Sequence, residues 1–93
     1  MTTRSVHVSI RGRVQGVGYR AWLEGEAVAR ELSGWVRNRH DGSVEALVSG
    51  DADAVAEFIG HLWTGPGMAK VTDVAVAEYG GAVGEGFEVL PTE

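Results

Sequence analysis

Two strand-like runs, Gly34 to His40 and Ser43 to Ser49, stand with only Asp41 and Gly42 between them. An Asp-Gly pair in that position favours a two-residue type I′ turn, which pairs the runs antiparallel and fixes their register. The hairpin falls between two segments of helical spacing, and it narrows the possible folds. A doubly wound sheet needs a parallel strand-helix-strand unit at this place and a much longer chain.

The rest of the chain fits around that hairpin. Val6, Val8 and Ile10 alternate with His7, Ser9 and Arg11, the period-two pattern of a strand with one buried face. A first helix follows the glycine-rich stretch Gly12 to Arg20. Ala21, Gly25, Val28 and Leu32 fall on one of its faces, with Trp22 and Ala29 beside them, and a close approach to a sheet accounts for Gly25. After the hairpin, Asp51 or Asp53 offers an N-cap. Val55, Phe58, Ile59, Leu62 and Trp63 then recur at helical spacing until Gly65, Pro66 and Gly67. Val71 to Tyr79 reads as a fourth strand with Val74 and Val76 on one face. Glycines 80, 81, 84 and 86 form a connection, and Phe87 to Leu90 give a short last strand. The expected architecture is a single α+β domain over residues 1–93, of the split βαβ or ferredoxin-like kind. Its order is βαββαβ with a short extra C-terminal strand, an antiparallel sheet covered on one face by two helices.

Charge and composition remove several function classes. Lys plus Arg number 8 against 13 Asp plus Glu, a formal charge of −5, which repels a polyanion and argues against nucleic-acid binding. Without cysteine there is no disulfide framework, thiolate metal site or thiol nucleophile, which fits a reducing compartment. No apolar run approaches the ~20 residues of a membrane span, and the N-terminus lacks a signal-peptide core. The expectation is a cytoplasmic protein without a membrane partner, and a small acidic domain is most simply a monomer. His7, His40 and His61 lack ligand spacing, so no metal is expected. Asp51, Asp53 and Glu57 read as an acidic helix start, and Trp22, Trp35 and Trp63 as packing residues.

The chemistry concentrates in Gly12 to Arg20, GRVQGVGYR. Gly16 and Gly18 can take positive φ without strain, so successive amides from Val14 to Arg20 can converge on one point at the positive end of the first helix. The glycines alone would equally suit a plain turn. Arg20 tips the balance toward an anion site, because its planar fork of donors reaches the same point and a turn has no need of it. The run Gly16-x-Gly18-x-x-Ala21 satisfies a dinucleotide fingerprint, with Asp41 23 positions after Gly18, but the hairpin removes its structural context. A triphosphate loop would need Gly-Lys followed by Ser or Thr, which is absent. Asn38 lies 18 positions beyond Arg20. At a strand end an asparagine ordinarily satisfies a turn. Beside an anion nest, an amide that donates and accepts at once also suits the holding of a water in line with phosphorus.

GRVQGVGYR, then GWVRN, then DGSVE resemble the acylphosphatase family, small enzymes that hydrolyse the mixed anhydride of a carboxylate and phosphate. The resemblance covers nearly the whole chain, including the later Gly-Pro segment and the Ala69, Val71 and Val74 pattern. It implies that Arg20 is the catalytic, phosphate-binding arginine and that Asn38 positions the attacking water. It also implies that the amides of Gly16, Val17, Gly18, Tyr19 and Arg20 form the phosphate cradle. The substrate would be a small acyl phosphate, the product inorganic phosphate, and no cofactor or metal would be needed. Two departures stand out. Tyr19 occupies a position where phenylalanine is common, and Arg30, Glu31 and Leu32 stand where Leu-Gly-Leu is usual, which puts the ending of the first helix in question. The alternative is a non-catalytic anion-binding or protein-interaction module on the same fold. Similar domains also occur fused to larger carbamoyl-transfer machinery, and the stop at Glu93 carries the expectation of a free-standing protein.

Overall fold

The computed structural model describes residues 2–93. In chain order the elements are β1 (Thr3–Arg13), α1 (Tyr19–Ala29), β2 (Ser33–Asn38), β3 (Val44–Asp51), α2 (Ala52–Leu62), β4 (Lys70–Glu78) and β5 (Phe87–Val89). The strands form one sheet in the order β4-β1-β3-β2-β5. Its first four strands pair antiparallel, as expected. The short β5 adds to β2 in parallel, Gly34 opposite Phe87 and Val36 opposite Val89, so the sheet is mixed.

Alternation in β1 does what the pattern requires. Val6, Val8 and Ile10 are fully buried and meet Val48, Ala46 and Val44 of β3 across the ladder. Both helices cover this face, α1 over β2 and β5, α2 over β1 and β3. Val55, Phe58 and Leu62 carry α2 into the core, with Ile59 packed beside them, and the Asp51 carboxylate caps the helix by accepting from the Ala54 amide at 3.2 Å. Asp53 lies in the first turn of the same helix, and Trp63, at its C-cap, is half exposed and outside the core.

The buried face of α1 is Tyr19, Leu23 and Ala27, not the Ala21–Gly25–Val28 face expected from spacing. Val28 is 59% exposed, and a Cβ on Gly25 would meet nothing within 4 Å, so no sheet approaches it. The physical reason is area: Tyr19 and Leu23 offer far more apolar surface to bury than alanine and glycine. Leu32 is buried as expected, but from beyond the helix end. There the Leu32 amide donates to the Ala27 carbonyl at 2.9 Å and the Glu31 amide to the Val28 carbonyl at 3.0 Å, the paired bonds of a Schellman ending. Glu31 takes the left-handed position, with φ of 56°. The left-handed turn is kept where the family's glycine is lost.

The hairpin loop is three residues, not two. Arg39 donates to the Ser43 carbonyl at 2.8 Å and Gly42 to the Arg39 carbonyl at 3.1 Å, which leaves His40, Asp41 and Gly42 in the loop, with φ of 92° at Gly42. This is a type I turn followed by a left-handed glycine. The Asp41 carboxylate selects it by accepting from the Ser43 hydroxyl at 2.6 Å and the Ser43 amide at 2.9 Å. The Ser43 hydroxyl bond is the main reason that the Asp41 carboxyl titrates below its usual range.

In β4, a register shift opposite Arg11 and Gly12 bypasses Thr72, so Val71 and Val74 both pack on the core while Val76 is 40% exposed. Gly12 (φ 124°) is required there, since a Cβ would stand 2.1 Å from the Lys70 carbonyl oxygen. On the uncovered sheet face, Glu45 accepts from Arg37 at 2.7 Å and pairs with His7 at 2.6 Å, and Arg37 lies over the Trp35 ring at 4.7 Å. Trp35 therefore packs under a guanidinium on the open face, whereas Trp22 packs against the core beside Tyr19.

Candidate active site

Residues 14–18 link the end of β1 to α1 without regular structure. Gly16 and Gly18 have φ of 73° and 79°, the left-handed values expected of them, and a Cβ on either would enter open space. Their role is thus conformational, with no wall to avoid. Gly18 is the N-cap of α1 and offers no capping side chain. Among the described residues, no backbone carbonyl accepts from the amides of Gly16 to Arg20. A helix start of this kind leaves donors pointing outward at its positive end.

One open cavity of about 260 Å³ brings the proposed site residues together. Gly16, Gly18, Tyr19 and Arg20 line it from the loop and the first turn of α1, and Asn38 lines it from the end of β2. Ala21, Glu24 and Val89 form further wall. Val17 is absent from the wall: its side chain packs on the core, so only its amide is available for the cradle. The Tyr19 ring is also mainly structural. Its hydroxyl donates to the Leu62 carbonyl at 2.7 Å, satisfying an acceptor that the end of α2 leaves free, and burial pushes its pKa upward. The hydroxyl that sets Tyr19 apart from the usual phenylalanine thus ties α1 to α2.

Arg20 donates from Nη1 to the Leu90 carbonyl at 3.2 Å. That carbonyl belongs to the tail beyond β5, which is itself held against β2: Leu90 donates to Val36 at 2.8 Å and Glu93 to the backbone oxygen of Asn38 at 3.0 Å. One tail therefore orients the Arg20 guanidinium and braces the Asn38 backbone. The Asn38 Oδ1 is buried and has no hydrogen-bond partner among the described residues. A buried acceptor left so is costly unless a donor from outside the protein meets it.

Gln15 is a contact that the sequence reading left out. Its amide nitrogen donates to the Arg39 carbonyl at 2.7 Å and the Ser43 carbonyl at 2.8 Å, fastening the glycine-rich loop to the hairpin just beyond Asn38. Its place inside GRVQGVGYR was visible, but the carbonyls that it meets lie 24 and 28 residues away. His7 pairs with Glu45, and His61 with Glu26 and Arg30. No group of three or more potential metal ligands occurs among the described residues. No helix among them is long and apolar enough to cross a membrane.

Comparison with known proteins identifies the family. The family model described as Acylphosphatase matches residues 6–89. An acylphosphatase of Rhodopseudomonas palustris (strain BisB5) is 52% identical over 98 residues, covering 99% of either chain. One from Azoarcus sp. (strain BH72) is 57% identical over 83 residues, covering 89% of this chain and 85% of its own. Among solved structures, the acylphosphatase from Bacillus subtilis superposes with a TM-score of 0.89 at 38% identity, covering 96% of this chain and 99% of its own. With the family model and near-full-length relatives in agreement, this chain belongs to the acylphosphatase family.

Proposed function

We propose that this protein hydrolyses the carboxyl-phosphate anhydride of acyl phosphates, releasing a carboxylate and inorganic phosphate. In this reading the amides of Gly16, Val17, Gly18, Tyr19 and Arg20, with the Arg20 guanidinium, hold the phosphoryl oxygens. Asn38 holds the attacking water in line with phosphorus. The observation that carries the reading is the meeting of Arg20, Gly16 and Gly18 with Asn38 around one cavity, the Asn38 Oδ1 buried and unpartnered. A water donating to that oxygen would satisfy it and be oriented by it. Arg20 spends one hydrogen bond on Leu90 and keeps donors for an anion.

The chemistry asks for little more. A carboxylate leaving group has a conjugate acid with pKa near ~4, so it departs at neutral pH without a general acid. Positioning and charge stabilisation then carry the rate, the usual division of labour in phosphoryl transfer. The substrate's own phosphate can take the proton from water. The same reading has the protein act as a cytoplasmic monomer on a small molecule, which the acidic balance and absence of cysteine support.

The test is turnover of benzoyl phosphate. Arg20→Ala should lower kcat by ~10²-fold or more, the scale of one removed oxyanion donor, and Asn38→Ala by ~10²-fold through loss of the positioned water. Arg20→Lys should be nearly as severe, since an ammonium cannot reproduce the planar fork. Full activity in both alanine variants would refute the assignment, and phosphate binding without turnover would favour the non-catalytic module.

A further inference from the structure

The cavity wall beyond the cradle holds one group that the hydrolysis scheme does not use. Glu24 lies four residues after Arg20, on the same side of α1 and ~6 Å further along the helix axis. It makes no ion pair or hydrogen bond among the described residues, although Arg20 is one turn away; Arg20 turns instead to the Leu90 carbonyl. The other residues on this side, Ala21 and Val89, are uncharged. Among the described residues, Glu24 is thus the only acidic one lining the cavity.

A carboxylate beside a phosphate site weakens phosphate binding for every substrate alike, so its presence calls for a compensating use. A phosphoryl group in the cradle would leave Ala21, Val89 and Glu24 as wall available to the acyl portion. Building on the acyl phosphate reading above, we propose that Glu24 filters substrates by the charge of the acyl group. It favours acyl phosphates that carry a cationic group and disfavours those that carry a second anion. Glu24 is then a specificity-determining residue that takes no part in bond making. Across partly solvated space within a Debye length, one unit charge shifts kcat/KM by about 3- to 10-fold.

Three substrates sharing one leaving-group geometry test this: benzoyl phosphate, its para-trimethylammonium analogue and its para-carboxylate analogue. Because the para substituents alter intrinsic reactivity, the decisive quantity is how the cation-to-anion ratio of kcat/KM changes between proteins. Glu24→Gln keeps the shape and removes the charge. It should lower that ratio by ~10-fold or more, two charge steps of the size above, while benzoyl phosphate is turned over at least as well as before. Raising salt from 0.01 to 0.5 M, roughly a Debye length from 30 Å down to a few, should shrink the ratio more in the unaltered protein than in Glu24→Gln, because the remaining net charge is screened alike in both. A ratio unmoved by Glu24→Gln would overturn the filter and leave the hydrolase reading standing. Equal loss on all three substrates would overturn it too, by making Glu24 part of the general machinery. If the unaltered protein turns over none of the three, both readings fall together.

Discussion

Glu31→Gly should make the protein more stable, although it removes a side chain and adds a glycine. Glu31 is the only non-glycine residue with positive φ among the described residues, and at 56° it lies in the left-handed helical region. A Cβ there costs ~1–2 kcal/mol. The conformation is enforced from both sides, by the Glu31 and Leu32 amide bonds to Val28 and Ala27 and by burial of Leu32. Glycine removes the strain but gives the unfolded chain more freedom, which offsets ~0.5–1 kcal/mol. The Glu31 side chain is exposed and makes no hydrogen bond or ion pair among the described residues, so its truncation loses no partner. The net gain is about 0.5–1 kcal/mol, a rise in Tm of about 2–8 °C for a domain of this size. Thermal and urea unfolding followed by circular dichroism would measure it, with Glu31→Ala as control because alanine keeps the Cβ. A neutral or destabilising glycine, or an alanine that gains as much, would refute the strain argument.

Two further perturbations address the site and the open sheet face. Gln15→Leu keeps the volume but drops both bonds to the hairpin; Arg39 and Ser43 carbonyls retain the Gly42 and Arg39 amides, so stability should fall little. On the hydrolase reading kcat should drop ~10-fold or more through misplacement of Asn38 against the cradle. In an Asn38→Ala background the same change should then cost much less, whereas full additivity would show that Gln15 does not act through Asn38. At Glu45, burial raises the carboxyl pKa, but hydrogen bonds from His7 and Arg37 outweigh it and leave the folded value lowered. A lowered folded pKa contributes stability that is present above the unfolded carboxylate range, near ~4.3, and lost as pH falls through the folded value. Urea midpoints should therefore fall more steeply below pH ~5 in the unaltered protein than in Glu45→Gln, and parallel curves would exclude the linkage.

What could be read from the sequence was whatever depends on local rules. Val6, Val8 and Ile10 announce β1 because alternation is the geometry of a strand, and Gly16 and Gly18 take the left-handed values that only glycine adopts freely. The misses share a different cause. Asp41-Gly42 suggests a two-residue turn, but the bonds that the Ser43 amide and hydroxyl donate to the Asp41 carboxylate stabilise a type I turn one residue longer. On α1 the small residues at helical spacing suggest one face, but Tyr19 and Leu23 bury the larger apolar area on another, and a bond to the Leu62 carbonyl, 43 residues away, holds Tyr19 there. The site divides in the same way. Arg20, Asn38, Gly16 and Gly18, the residues proposed for the site, can be picked out by type and spacing, and the fold brings them to one cavity. The Gln15 clasp and the Leu90 brace are not, because each pairs a side chain with a backbone carbonyl, and carbonyls carry no sequence signature.

The strand order β4-β1-β3-β2-β5 also bears on how the molecule comes together. Only β2 and β3 are neighbours in both sequence and space. The central pairing of β1 with β3 joins residues 34 to 48 apart, from Ile10 with Val44 to Thr3 with Asp51. Loop-closure entropy must be met before such contacts return any stability, so non-local pairings set the folding speed of sheets built this way. The glycine-rich loop leaves from the end of β1, and Asn38 sits on the local hairpin. The hairpin can form early and display Asn38 with no cradle opposite it. On the hydrolase reading, a chain that has formed the hairpin alone lacks the cradle, and it should not turn over acyl phosphates until the long-range β1–β3 pairing brings the two together.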